Sequence, residues 1–160
     1  MQGAPPRGPV TAFIGLGANL GDAQQAVRDA IDAIDGLPAV TVMKQSSLYR
    51  SAPVDAGGPD YINAVIEVRT ALTAPHLLAQ LQRIEQGAGR RRPYRNAPRT
   101  LDLDLLLFGA GSIASAALTL PHPRMQERAF VLLPLAEIGP QAVPPEALAA
   151  VTSQVIARVT

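Results

Sequence analysis

Residues Gly87–Gly109 read GAGRRRPYRNAPRTLDLDLLLFG. The first half packs five arginines, Arg90, Arg91, Arg92, Arg95 and Arg99, around Pro93 and Pro98. The second half is an apolar run, Leu101–Phe108, whose only charges are Asp102 and Asp104. So apolar a run between a proline and a glycine predicts a buried strand. Alternate side chains on a strand share a face, about 6.5 Å apart. Asp102 and Asp104 therefore point one way, and Leu101, Leu103 and Leu105 the other. At an effective dielectric of about 20, two carboxylates so placed repel by about 2–3 kcal/mol. A cation between them removes that cost. Magnesium is the natural candidate, a hard ion that takes one or two carboxylates and leaves its other positions to water and phosphate oxygens. Proline-stiffened arginines can clamp the remaining phosphate charge through bidentate contacts. Together the two halves point to metal-assisted transfer from a nucleotide polyphosphate. Taken singly, each has a plainer reading: a D-x-D on a strand is commonly a solvated edge, and an arginine cluster a solvated or nucleic-acid-facing loop.

Composition narrows the setting. A chain of 160 residues, 48% hydrophobic and 17% charged, predicts one globular domain over 1–160 that buries roughly 70% of its unfolded surface. Net charge is only +1, so the basic character is local, which favours a small anionic ligand over a long nucleic acid. The absence of cysteine excludes a disulfide framework and a thiolate zinc site. The opening MQGAPPRGP lacks the apolar core of a signal peptide, so residues 1–9 read as a frayed leader. No apolar run approaches the ~20 residues of a membrane span. A cytoplasmic protein without a membrane or nucleic-acid partner is expected.

Along the chain, Val10–Leu16 predicts a first strand ending in GLGANLGD. The dinucleotide fingerprint G-x-G-x-x-G fails there, because after Gly15 and Gly17 the next glycine, Gly21, comes one residue late. A tight strand-to-helix turn accounts for the glycines better, with Gly17 letting a ligand approach the backbone. Asp22 is placed to cap a helix whose apolar positions Ala26, Ala30, Ile31 and Ile34 share one side and which stops near Gly36 and Pro38. Val40–Tyr49 predicts a second strand, and Ser51–Pro59 a loop. Tyr61–Thr70 predicts a third, with Ile62, Ala64, Ile66 and Val68 on one face and Tyr61, Asn63, Val65 and Glu67 on the other. Thr73 and Pro75 open a second helix, with a core stripe of Leu77, Leu78, Leu81 and Ile84 and with Gln82 and Glu85 near its edge. The arginine loop and fourth strand follow. The order βαββαβ is that of a ferredoxin-like split unit, an α+β fold with an antiparallel sheet. After it come a hairpin over Ser112–Leu120, the turn PHPR, an apolar helix from about Met125 and a terminal helix from about Pro145 that finishes the chain.

The stretch Arg95–Leu106, RNAPRTLDLDLL, closely resembles the signature of the 6-hydroxymethyl-7,8-dihydropterin pyrophosphokinase family. Further segments fit in order: Gly15–Gly21 (GLGANLG), Tyr49–Pro53 (YRSAP), Pro59–Ala64 (PDYINA), Arg83–Glu85 (RIE) and Leu118–His122 (LTLPH). The resemblance implies transfer of pyrophosphate from ATP to the hydroxymethyl group of the pterin on a ferredoxin-like fold. It implies that Asp102 and Asp104 are metal ligands for two Mg²⁺ ions bridging ATP and the substrate. It also implies that Arg90, Arg92 and Arg99 are lid and phosphate-facing arginines, Arg90 and Arg99 acting in catalysis. The pterin would lie between Tyr61 and Phe130, its edge read by Asn63, with Gly17, Ser51, Ala52 and Pro53 completing the pocket. ATP would meet Gln82, Glu85, Arg92, Arg99, Leu105, Thr119, His122 and Arg128. A monomer acting on these two small molecules is implied.

The chain departs from the family pattern in places. Asn96 stands where many members carry a tryptophan, Ala117 where a basic residue often precedes Leu-Thr, and Pro123 where some have an aromatic. The arginine loop is about one residue shorter than in longer members. Looser ATP binding or a different lid closure follows, with the same reaction. Two other classes stay open from the residues alone. A ferredoxin-like RNA-binding module would use the arginine loop, but it lacks strand aromatics for base stacking and leaves the aspartates unexplained. A nucleotide-binding regulator without catalysis is the other.

Overall fold

The computed structural model describes residues 9–19, 21–52, 59–89, 101–115 and 118–159. Its main sheet is antiparallel throughout: β1 (Val10–Ala18), β2 (Val40–Gln45), β3 (Tyr49–Ser51), β4 (Tyr61–Thr70), β5 (Asp102–Phe108) and β8 (Ile156–Arg158). Strand order is β5-β1-β4-β3-β8, and β2 pairs with the far end of β4. Helices α1 (Ala23–Asp35) and α2 (Ala74–Gly89) complete the expected βαββαβ unit. A small hairpin, β6 (Ile113–Ala114) with β7 (Thr119–Leu120), leads to α3 (Ala129–Ile138) and the short α4 (Pro145–Ala150).

The period-two alternation of β1, β4 and β5 divides the core in two. Ile14, Leu16, Ile62, Ile66, Leu103 and Leu105 face α1 and α2, where Val27, Ile34, Leu77 and Leu81 meet them, all buried. Phe13, Val65 and Leu106 face the other way, against Leu132 and Leu135 of α3. Both first-unit helices start as the sequence dictates. The Asp22 carboxylate accepts the Gln25 N–H at 3.1 Å, and Thr73 Oγ1 accepts the His76 N–H at 3.3 Å. Helix α3 lies over β3 and β4, and its cluster takes in Phe13 of β1 and Leu106 of β5. The site face is the part of that second face around Gly15, Gly17, Asp102 and Asp104.

Three expectations are corrected. The strand Val40–Tyr49 is broken at Ser46–Leu48 into β2 and β3. There the Ser46 hydroxyl accepts the Val65 N–H at 3.0 Å while Ser46 N–H donates to the Val65 carbonyl at 2.9 Å, so one serine takes both bonds of its opposite residue. The first strand does not stop at Leu16 but runs to Ala18, so Gly15 and Gly17 are strand residues. The turn itself uses Gly21, at φ +63°, a conformation that suits glycine. The chain does not finish in a helix. Gln154 donates to the Glu127 carbonyl at 2.8 Å and accepts the Ala129 N–H at 2.9 Å, which turns the chain back after α4. The β-branched Val155–Ile156 then leads into β8 along β3.

Candidate active site

The aspartates of β5 share the site face, as the alternation requires. Asp104 stands opposite Gly15 and Asp102 opposite Gly17 on β1. Across β1, Gly15 is in turn opposite Val65 and Gly17 opposite Asn63 on β4. Beyond Asp104 the strand carries an irregularity, with Phe13 opposite Leu107 and Ile14 opposite Leu105. Alternation already puts Leu106 on the α3 side, and the extra residue puts Leu107 there beside it while Phe108 faces the other core. The acidic pair is thus followed at once by an apolar wall.

One row of the sheet is especially informative. Reading across the strands, Arg158, Tyr49, Asn63, Gly17 and Asp102 are successive neighbours. Gly17 leaves a gap in that row. A β-carbon there would stand 3.3 Å from Asn63 Oδ1, so the amide oxygen borders the space that the glycine leaves. Asn63 is only 3% exposed and its Nδ2 donates to Ser51 Oγ at 2.7 Å. An amide fixed by one bond keeps a donor and an acceptor position for a ligand edge. Tyr61 is opposite Ser51 on the same face and half-buried. Phe130, near the start of α3, is half-buried too, with the Arg128 guanidinium 5.4 Å from its ring centroid. Ala52 is exposed at the end of β3.

The other flank of β5 is its open edge. A pocket of about 250 Å³ lies there, lined by Leu78, Asp104, Leu105, Leu118, Thr119 and His122, among others. It is smaller than the roughly 300–1,000 Å³ that encloses a whole drug-sized ligand, so it suits one part of a larger molecule. His122 is hung on this edge by its own N–H, which donates to the Leu106 carbonyl at 2.9 Å. His122 Nδ1 accepts the Arg124 N–H at 3.3 Å, which puts the imidazole proton on Nε2. That nitrogen lies 4.0 Å from Asp104 Oδ1. Burial holds the imidazole below its ordinary pKa, against the pull of Asp104 and with the help of Arg128 and Arg124. Glu85 ties α2 to β5, accepting the Leu103 N–H at 2.6 Å, while Gln82 is exposed one turn before it.

Pro53, Arg90, Arg92 and Arg99 lie outside the described residues. Of the remaining sequence-predicted positions, Gly17, Ser51, Tyr61, Asn63, Asp102 and Asp104 share one face of the sheet. Leu105, Thr119 and His122 line the pocket at the β5 edge, Gln82 and Glu85 are on α2, and Arg128 and Phe130 are at the start of α3. Among the described residues, no three His, Cys, Asp or Glu side chains gather to hold a metal. Asp102 and Asp104 alone fit magnesium, which commonly takes two carboxylates and completes its shell with substrate phosphates and water. What the sequence reading did not single out is Glu137, the one charge in the apolar helix α3. It accepts hydrogen bonds from Tyr49 and Ser47. A lone carboxylate on such a helix was the available signal.

The fold and this face define a ferredoxin-like α+β protein with an acidic pair set beside a buried, oriented amide. Residues 13–140 match the family model described as 7,8-dihydro-6-hydroxymethylpterin-pyrophosphokinase (HPPK). The chain belongs to this family. It is 45% identical over 144 residues to the 2-amino-4-hydroxy-6-hydroxymethyldihydropteridine pyrophosphokinase of Bacillus subtilis, covering 89% of this chain and 86% of that one. The Synechocystis sp. protein of the same name is 45% identical over 134 residues, covering 84% and 69% respectively. A solved Plasmodium falciparum HPPK-DHPS structure, with pterin and p-hydroxybenzoate, superposes with a TM-score of 0.62 over 81% of this chain at 13% identity. That likeness concerns the fold alone, and the present chain spans about 39% of that structure's length.

Proposed function

We propose that this chain transfers the β- and γ-phosphates of ATP, as one unit, to the hydroxymethyl group of 6-hydroxymethyl-7,8-dihydropterin. The products are AMP and the pterin diphosphate, a step of folate biosynthesis. The observation that carries the reading is the row in which Asp102, the gap at Gly17 and the oriented Asn63 amide follow one another. It sits in a chain 45% identical to a named pyrophosphokinase.

In this reading the pterin stands in the gap above Gly17, its polar edge against Asn63, Ser51 and the backbone of Ala52 and Pro53. Tyr61 and Phe130 hold its two faces. The base of ATP occupies the pocket at the open edge of β5, against Leu105, Thr119 and His122, with Gln82, Glu85 and Arg128 nearby. Arg90, Arg92 and Arg99 clamp the phosphates, with Arg90 and Arg99 stabilising the group in transfer. Asp102 and Asp104 would hold the Mg²⁺ ions, two in this reading, which would supply countercharge to the phosphate oxygens. Because His122 bears its proton on Nε2, it presents a donor toward the side of the site where phosphate oxygens arrive. Glu85, by fixing Leu103, holds the start of β5 beside the cleft.

The test is to incubate the protein with ATP, magnesium and the reduced pterin and to separate the nucleotide products. AMP formed one for one with pterin diphosphate is the expected result. ADP, or nucleotide turnover indifferent to the pterin, overturns the reading.

A further inference from the structure

Strand β3 is only three residues long, yet it supplies Ser51, the anchor of the Asn63 amide. Its register is not fixed by a continuous ladder. Gln45 stands opposite Ile66 and Tyr49 opposite Asn63, so four steps on the β2–β3 side match three on β4. One residue must be extruded at Ser46–Leu48. Were that excess residue drawn back into the ladder, the β3 pairing would slip by one and every β3 side chain would change face. Arg50 would then point where Tyr49 and Ser51 now point, and Asn63 would lose its partner.

The side chain placed to decide this register is Glu137, near the C-terminal end of α3. The Ser47 N–H, in the extruded joint, donates to both carboxylate oxygens at 3.0 Å, and Ser47 Oγ donates to Oε2 at 2.9 Å. Tyr49 OH donates to Oε1 at 2.7 Å. Arg158 on β8 closes the group, with Nη2 3.7 Å from Glu137 Oε1 and donating to Tyr49 Oη at 3.3 Å. One carboxylate thus gathers donors from the joint and from β3, and a cation from the strand on the far side. Phe130 lies seven residues before Glu137 on the same helix, so the two share a helix face. Pinning the helix end to β3 also sets the distance between Phe130 and the Asn63–Ser51 pair.

We propose that Glu137, acting through Ser47 and Tyr49, is a positioning residue that locks the register of β3 and thereby orients Ser51 and Asn63 for the pterin. The inference rests on the reading that Asn63 recognises the pterin edge. It assigns Tyr49 and Arg158 to the same lock, neither touching substrate. The lock differs from an ordinary stabilising cluster in one measurable respect: its loss falls on one substrate.

The experiment compares Glu137→Gln, Tyr49→Phe, Asn63→Ala and a control core variant, Val27→Ala, which lies on the α1 side of the sheet. For each, the thermal midpoint, kcat and the KM values for pterin and ATP are measured. The expected result is a rise of roughly fivefold or more in pterin KM for Glu137→Gln and Tyr49→Phe, with ATP KM within about twofold. The double variant Glu137→Gln/Tyr49→Phe costs less than the sum of the two single ones, because the two share the Tyr49–Glu137 bond. Val27→Ala lowers the midpoint and leaves the pterin KM unchanged. If Glu137→Gln and Tyr49→Phe lower the midpoint but keep the parental pterin KM while Asn63→Ala loses pterin, the lock is overturned and the site reading stands. If Asn63→Ala itself keeps the parental pterin KM, the site reading has failed, and the proposal falls with it.

Discussion

The two ends of the site face are built on opposite principles. At the β3–β4 end the polar groups are buried and answer one another: Asn63 is held by Ser51 at 2.7 Å, and Tyr49 by Glu137 at 2.7 Å. At the β5 end Asp104 is 44% exposed and faces the imidazole of His122 at 4.0 Å. The first end has made its hydrogen bonds before any ligand arrives, which is how a flat, hydrogen-bonding molecule is selected at low entropic cost. The second sets two carboxylates on one strand face, where a cation and phosphate would add countercharge.

The sharpest way to break this contrast is at the acidic end. Asp102→Ala and Asp104→Ala are each expected to cut turnover by about a thousandfold or more, the scale of lost electrostatic stabilisation at a transferring phosphoryl group. For Asp104→Ala the thermal midpoint in the absence of ligand should change little, because that side chain is 44% exposed. Turnover within tenfold of the parent in either variant, measured at saturating magnesium, removes the metal assignment. A large loss of midpoint would show instead that the pair is part of the fold.

A smaller effect is expected where the two ends meet. Gly17→Ala places a methyl 3.3 Å from Asn63 Oδ1, in a strand conformation that alanine accepts. The fold should therefore survive, while the gap between amide and acid pair narrows by one methyl group. A loss of pterin affinity of about 10- to 100-fold, with ATP affinity little changed, is the expected calorimetric result. Equal weakening of both substrates would mean that Gly17 does not divide the two ends.

Much of this contrast is legible in the sequence, and its limits have physical causes. The D-x-D spacing alone fixes the common face of Asp102 and Asp104, because strand periodicity is two. The order of Tyr61, Asn63 and Val65 likewise fixes the second buried face of β4. Capping at Asp22 and Thr73 is local chemistry, and both caps form as read. What the residues do not reveal is register. The break at Ser46–Leu48 depends on Val65 across the sheet and on Glu137, ninety residues away from Ser47. Strand β8 is hidden for the same reason: Ile156–Arg158 is too short to read as a strand without β3 beside it. Gly15 and Gly17 mislead because glycine signals a turn locally, whereas here it clears space on a strand face.

The smallest expected effect separates the ends by pH. Burial alone would raise the Glu137 carboxyl, but the Tyr49 and Ser47 hydrogen bonds and the Arg158 charge together outweigh it and hold the group below its ordinary value. A carboxyl whose folded pKa is depressed stabilises the protein above its unfolded pKa, near pH 4 or a little higher. That contribution is lost as pH falls through the folded value, because the unfolded chain then binds the proton more readily. Glu137→Gln removes the titrating group, so its midpoint should sit below the parent's at pH 7 and approach it at acid pH. The gap that closes should be on the order of 2 °C, the scale of a partly solvated pair. The same scan on Asp104→Ala should show no such convergence through the Glu137 window, because that variant leaves the lock at β3 intact. A constant offset between Glu137→Gln and parent across the acid range would mean that the carboxylate charge adds nothing to the lock, and that the contrast between a pre-satisfied end and a waiting end rests on hydrogen-bond geometry alone.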